Sequence, residues 1–252
     1  MAKSPVILVS PSMEKRGVEF SDLSLSLSQR YEDSLLDVGG IPLVAPATVD
    51  RALLAEAVRR TDGVLLTGGD DICPDLYEKN LPAAILKTVG QTPDGGGRDL
   101  RELILIEEIF RQKKPVLCIC RGHQLMNVAF GGKLICDIRQ QHGTELNHQR
   151  SDKACEYVHE ITITPGSQFA KITGSTRLGV NSSHHQAVLK TAEPFVATGF
   201  SPDGLVEVME LKPGALKVPY FISVQYHPER LARQYKEHQA IFASFVKACK
   251  KR

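Results

Sequence analysis

Short apolar runs of β character alternate along this chain with segments whose apolar residues recur at helical spacing. Val6–Ser10 reads as a strand, residues 28–38 as an amphipathic helix, and residues 49–60 as a helix leading into a strand at 63–67. Residues 99–112 place Leu103, Ile106 and Ile109 on one helical face and lead into a strand at 115–119. A helix at 123–130 and a strand at 133–137 follow. This alternation predicts parallel βαβ units, with sites at the carboxyl ends of the strands.

The middle of the chain changes character. Residues 157–164, 187–189, Phe195–Phe200 and 205–210 are short strand-like runs separated by turn residues, which predicts an antiparallel stretch folded onto the main sheet. A strand at 222–225 returns to that sheet and a helix at 239–250 closes it. The expected fold is three-layer α/β, a mostly parallel central sheet flanked by helices, with a small antiparallel element. No repeat, low-complexity tract or linker interrupts the pattern, so residues 1–252 are expected to form a single domain. The segment Gln91-Thr-Pro-Asp-Gly-Gly-Gly97 reads equally as a lid or as a plain surface loop.

Bulk composition narrows the function classes. A hydrophobic content of 42% supplies a sizeable core, and a formal net charge of +2 argues against nucleic acid or an anionic membrane as partner. No run approaches the ~18–20 apolar residues of a membrane span, and the apolar stretch near the N-terminus is too short for a signal sequence. The six cysteines form neither a paired framework nor a Cys-x-x-Cys zinc motif, so reduced thiols and a cytoplasmic location are expected.

Candidate chemistry concentrates in two places. In Pro115-Val-Leu-Cys-Ile-Cys120-Arg-Gly-His-Gln124 an apolar run ends in a cysteine and a helical pattern starts at once. This is a nucleophile elbow with sulfur in place of a serine hydroxyl, and the helix N-terminus favours the reactive thiolate. The backbone N–H of Arg121 is a candidate donor to a developing oxyanion. Gln124 lies one turn after Cys120 and can face the same pocket. Cys118 is expected to point to the same side as Cys120, as a core residue beside the nucleophile. The second place is His227-Pro-Glu229, just past an apolar strand. In an extended segment these two side chains share a face, so Glu229 can orient His227 while His227 exchanges protons with Cys120.

Together these motifs resemble class I glutamine amidotransferase domains. The chain is more narrowly similar to the stand-alone γ-glutamyl hydrolases of that superfamily, the γ-glutamyl-γ-aminobutyrate hydrolase type. Further blocks that carry the narrower likeness are Leu66-Thr-Gly-Gly69-Asp-Asp71-Ile-Cys-Pro74, Arg98-Asp99 with Glu102, Asn181-Ser-Ser-His184-His185-Gln186, and Asp203-Gly204-Leu-Val-Glu207. The resemblance implies a flavodoxin-like sheet and a catalytic set of Cys120, His227 and Glu229. It also implies a second oxyanion donor at the Gly69 N–H and a glutamyl contact at Gln124. Asn181, Ser182, His184 and Gln186 would belong to a loop lining the substrate pocket. Arg98 either meets a substrate carboxylate or pairs with Asp99 or Glu102. Adjacent histidines on an extended segment face opposite ways, so His184 and His185 are not expected to share a metal ion, and no cofactor is implied. The implied reaction is attack of Cys120 on a γ-glutamyl amide of a small molecule, with a glutamyl thioester hydrolysed to glutamate. The other readings are a glutaminase subunit passing ammonia to a synthetase and a non-catalytic protein on the same fold. The oligomeric state is left open, a homodimer included.

Overall fold

Strand β1 (Val6–Ser10) shows how the central sheet divides the molecule. Ile7 and Val9 enter one apolar layer and Leu8 the other, as the two-residue period of a strand requires. The structure, a computed structural model, describes residues 3–250. A hairpin of β2 (Ser12–Glu14) and β3 (Ser24–Ser26) forms a small separate antiparallel sheet. The next strands are β4 (Ile41–Val44), β5 (Gly63–Leu66), β6 (Val116–Ile119) and β7 (Lys133–Ile135). They are followed by β8 (His159–Ile163), β9 (Arg177–Val180), β10 (Ala187–Lys190), β11 (Phe195–Phe200), β12 (Val206–Leu211) and β13 (Phe221–Val224). The main sheet runs β4-β1-β5-β6-β13-β12-β11-β8-β9. It is parallel from β4 to β13 and antiparallel beyond.

Helices cover both faces. On one side α1 (Gln29–Leu36) and α8 (Lys236–Cys249) bring Tyr31, Leu35, Phe242 and Phe245 against Ile7, Val9 and Ile119. On the other, α2 (Arg51–Arg60), α4 (Gly97–Arg111) and α5 (Arg121–Ala129) bring Leu54, Leu105 and Leu125 against Leu8, Val64 and Val116. Local signals set the starts: Ser28 accepts from the Arg30 N–H, and Asp50 from the Ala52 and Leu53 N–H groups at 2.8 and 3.0 Å. No helix among the described residues is long and apolar enough to cross a membrane.

The sheet departs from expectation in three ways. The antiparallel strands extend the parallel sheet edge to edge instead of folding onto it. β7, read as part of a parallel unit, pairs antiparallel with β10, which also meets β12. β4, β9 and the β2–β3 hairpin have no counterpart in the sequence reading. β4 is an exposed edge strand interrupted by Pro42, which pairing on one side alone tolerates.

Candidate active site

β6 ends at Ile119 and α5 begins at Arg121, which leaves Cys120 between them with φ 51° and ψ −104°. A positive φ costs a non-glycine residue on the order of 1–3 kcal/mol, so the surroundings must hold it. The Cys120 N–H donates to the Val224 carbonyl at 2.8 Å, its own carbonyl accepts from the Gln124 N–H at 3.1 Å, and the Gly122 N–H donates to the Thr67 carbonyl at 3.1 Å. A Cβ at Gly122 would lie 2.6 Å from the Leu66 carbonyl oxygen, so the turn closes only with glycine there. This twist breaks the strand alternation. Cys118 and Cys120 therefore do not share a side: Cys118 packs in the layer with Leu125 and Leu105, whereas Cys120 joins the layer of Tyr31 and Tyr226. Burial, with the nearby Glu102 carboxylate, pushes the Cys118 thiol well above its ordinary value. All six cysteines are free.

His227 follows the end of β13, and Pro228–Arg230 forms a short 3-10 turn where an extended segment was expected. The turn still brings Glu229 Oε1 to 2.8 Å from His227 Nδ1. Cys120 acts electrostatically on the same ring. Burial opposes a charge on this imidazole, but the Glu229 carboxylate and the Cys120 sulfur outweigh it and raise His227 to about 10. Gly68 supplies the space: a Cβ there would lie 2.7 Å from His227 Cε1. Asn181 clamps the His227 backbone, accepting its N–H at 2.9 Å and donating to its carbonyl at 3.0 Å.

The loop after β5 closes the opposite side. The Gly68 N–H donates to the Tyr31 hydroxyl at 3.0 Å. Burial, with the nearby Glu229 carboxylate, holds that phenol well above its ordinary value. Gly69 adopts φ 144°, and a Cβ there would lie 2.0 Å from Arg98 Nη1. Arg98 is fully buried under this loop, its Nε on Glu102 at 3.0 Å, Nη1 on Ser12 Oγ at 2.8 Å and Nη2 on the Gly68 carbonyl at 2.8 Å. Of the alternatives for Arg98, the structure shows the pair with Glu102. The Arg121 side chain joins the same buried cluster through Glu102 and Asp99, so only its backbone faces the elbow. Among the described residues, the N–H groups of Gly69 and Arg121 donate to no protein acceptor.

A cavity of about 60 Å³ opens on Cys120, room for a few waters at ~10–15 Å³ each. Gly69 and Gln124 line it from the parallel side, and His184, His185 and Gln186 from the other. Gln124 Nε2 donates to Gln225 Oε1 and to the Gln186 carbonyl, both at 3.1 Å, and Gln225 Nε2 reaches Cys120 Sγ at 3.7 Å. His185 Nε2 lies 2.9 Å from Asp71, whose hydrogen bond, against burial, raises the imidazole above its usual value. His184 faces away from that pair: Nδ1 bonds the Gln186 carbonyl at 2.9 Å, and burial lowers it to about 4. Asn181 and Ser182 lie behind the cavity wall, Ser182 bonded to His148 and His184. Tyr31, Asp71, His185 and Gln225 belong to the site although no motif marked them as contacts. Asp71 and His185 did stand inside the marked blocks, and Gln225 heads the distal Gln-Tyr-His-Pro-Glu motif; Tyr31 arrives from an element whose own spacing carries no such signal.

Comparison with known proteins agrees with this geometry. The Peptidase C26 family matches residues 5–229. Protein NtpR of Enterococcus hirae is 34% identical over 219 residues, covering 86% of this chain and 87% of that protein. The γ-glutamyl-γ-aminobutyrate hydrolase PuuD of Escherichia coli is 30% identical over 234 residues, covering 89% and 86%. The crystal structure of a glutamine amidotransferase from Thermotoga maritima superposes with a TM-score of 0.57 at 15% identity over 99% of this chain and 87% of that one, a likeness of fold. With its elbow cysteine, its distal histidine and a family match across most of its length, the chain belongs to the Peptidase C26 family.

Proposed function

We propose that this protein is a cysteine hydrolase of γ-glutamyl amides, with Cys120 as nucleophile, His227 as acid and base, and Glu229 as its orienter. The observation that carries the reading is Cys120 at a small cavity, with His227 acting on it electrostatically and held by Glu229 at 2.8 Å. The thiolate of Cys120 attacks the γ-carbonyl carbon, and the carbonyl oxygen takes up negative charge. The unused N–H groups of Gly69 and Arg121 are the donors suited to that charge. His227, held protonated by Glu229, gives its proton to the departing amine as the C–N bond breaks, leaving a glutamyl thioester on Cys120. Neutral His227 then takes a proton from water, which attacks the thioester and releases glutamate.

The cavity suits a compact glutamyl group, with Gln124 on one wall and the hydrogen-bonded Asp71 and His185 on the other. That pair suits the α-amino and α-carboxylate groups of a γ-linked glutamate. The name of the Escherichia coli relative supports the same substrate class. The test is a panel of γ-glutamyl amines beside glutamine, assayed for glutamate release. Faster turnover of γ-glutamyl amines is the expected result; turnover of glutamine alone points to a glutaminase, and turnover of neither overturns the proposal.

A further inference from the structure

Behind the 181–186 loop, on the antiparallel side of the sheet, lies a second polar cluster that hydrolysis at Cys120 does not use. His148 comes from the segment after α6 (Ile138–Gln141), His159 opens β8, His184 lies in the 181–186 loop and Glu207 sits on β12. Their side chains are only 1%, 3%, 2% and 0% exposed, in that order.

The proton count of this cluster does not close. The Gln186 carbonyl can only accept, so the proton of His184 is on Nδ1 and Nε2 presents a lone pair. The Asp203 carboxylate, 3.1 Å from His148 Nε2, likewise holds the His148 proton there and leaves Nδ1 as a lone pair. Both lone pairs converge on Ser182 Oγ, at 2.9 Å from His148 and 3.1 Å from His184. One hydroxyl carries one proton and satisfies one of them. In addition, neither ring nitrogen of His159 and neither oxygen of Glu207 has a hydrogen-bond partner. Buried groups of this kind are normally satisfied. The cluster carries more lone pairs than protons.

Distances of three of these groups, His148, His159 and Glu207, fit one ion. Glu207 Oε1 lies 3.6 Å from His159 Nε2 and 3.8 Å from His184 Nε2. Ligand atoms of His148, His159 and Glu207 all lie within 4.8 Å of one another. Metal–ligand bonds of ~2.0–2.1 Å in a tetrahedron put neighbouring ligand atoms about 3.3–3.4 Å apart, so closure on a metal takes a modest contraction. The hydrogen bond of His148 to a carboxylate is of the kind that fixes the tautomer of a metal-bound imidazole.

We propose that His148, His159 and Glu207 bind one divalent cation of the zinc class. The ion is structural: it ties β8 and β12 to the segment that carries His148. His184, whose Nε2 lies 3.8 Å from Glu207, lines the cavity at Cys120, so the ion steadies that wall.

The test uses the full chain, with zinc per chain measured by elemental mass spectrometry as purified, after chelation and after return of zinc ions. About one equivalent is expected, with a Tm that falls on chelation and recovers on zinc return. Glu207→Gln and His159→Asn should lose the metal. Replacement by cobalt should give the visible bands of a nitrogen–oxygen site without a sulfur charge-transfer band, a reading on the unaltered protein that stands even where the variants fail to fold. Failure to reach one equivalent with zinc in excess overturns the proposal. So does full zinc retention in folded variants, or a sulfur band that places the metal on cysteine.

Discussion

His227 and His123 are both imidazoles near Cys120, His227 half-buried just after β13 and His123 fully buried three residues past Cys120 on α5. Burial acts on both in the same direction, against the charged ring. At His123 the only counterweight is a hydrogen bond to the Ser223 backbone, with Ser223 Oγ 2.8 Å from Nδ1, and burial lowers it to about 3. At His227 the carboxylate of Glu229 and the sulfur of Cys120 reverse the sign and raise it to about 10. The partner decides the sign: neutral groups leave His123 uncharged, and a carboxylate keeps His227 protonated at neutral pH.

The largest break in this comparison should come from His227→Ala, which removes the proton carrier and is expected to lower kcat/KM by about 10^4-fold or more. His123→Asn keeps a polar partner for Ser223 and should leave turnover standing. Equal losses in the two variants would contradict the assignment. Glu229→Ala removes the orienting carboxylate alone and is expected to cost about 10^2–10^4-fold. In the same variant the His227 imidazole should titrate well below 10, as followed by NMR.

Stability is expected to respond next. Glu102 is the buried carboxylate shared by Arg98 and Arg121, so Glu102→Gln takes the shared countercharge from Arg98 and leaves Arg121 with Asp99 alone. A loss of about 3–5 kcal/mol in urea denaturation is expected, the usual cost of breaking a buried ion pair from one side. An unchanged midpoint would show that the cluster under Gly68 and Gly69 is solvated.

Linkage of the substrate sharpens the reading of Asp71 and His185. Moving the α-amino and α-carboxylate groups costs two charge-assisted hydrogen bonds of about 1.5–3 kcal/mol each, hence about a hundredfold or more in kcat/KM. The comparison is a γ-glutamyl amide with the α-glutamyl amide of the same amine. Similar values for both would indicate a general amidase.

The smallest effects are in pH. His227 has a folded value of about 10 against 6.5 unfolded, so its stabilising contribution is complete below about 6.5 and lost as pH rises through 10. His123, near 3 when folded, contributes above 6.5 and loses that contribution as pH falls toward 3. In denaturation curves across pH, His227→Asn should flatten the alkaline limb and His123→Asn the acid limb. An exchange of the two limbs would reverse the assignment.

Much of the parallel half was legible because each strand carries its own signal. The apolar run of β6 ends where Arg121-Gly122 forces a turn, and His227-Pro-Glu229 stands directly after β13. Pro42 hid β4, since a proline inside an apolar run argues against a strand until the edge position is known. The side of Cys118 was misjudged because the alternation rule was carried past the end of β6, across the positive φ of Cys120. Tyr31 meets the site across 37 residues of chain, a contact that leaves no spacing in the sequence. His159 was hidden in the same way, while Glu207 stood in a marked block whose role the spacing did not show.

The most direct test of the central claim places the reacting sulfur. Enzyme mixed with excess γ-glutamyl amide is quenched in acid and mapped by peptide mass spectrometry, with steady-state turnover of Cys120→Ala and Cys118→Ala measured in parallel. The expected result is a glutamyl adduct on the peptide at Cys120, no turnover by Cys120→Ala with its fold intact, and turnover retained by Cys118→Ala. Turnover by Cys120→Ala would contradict the account.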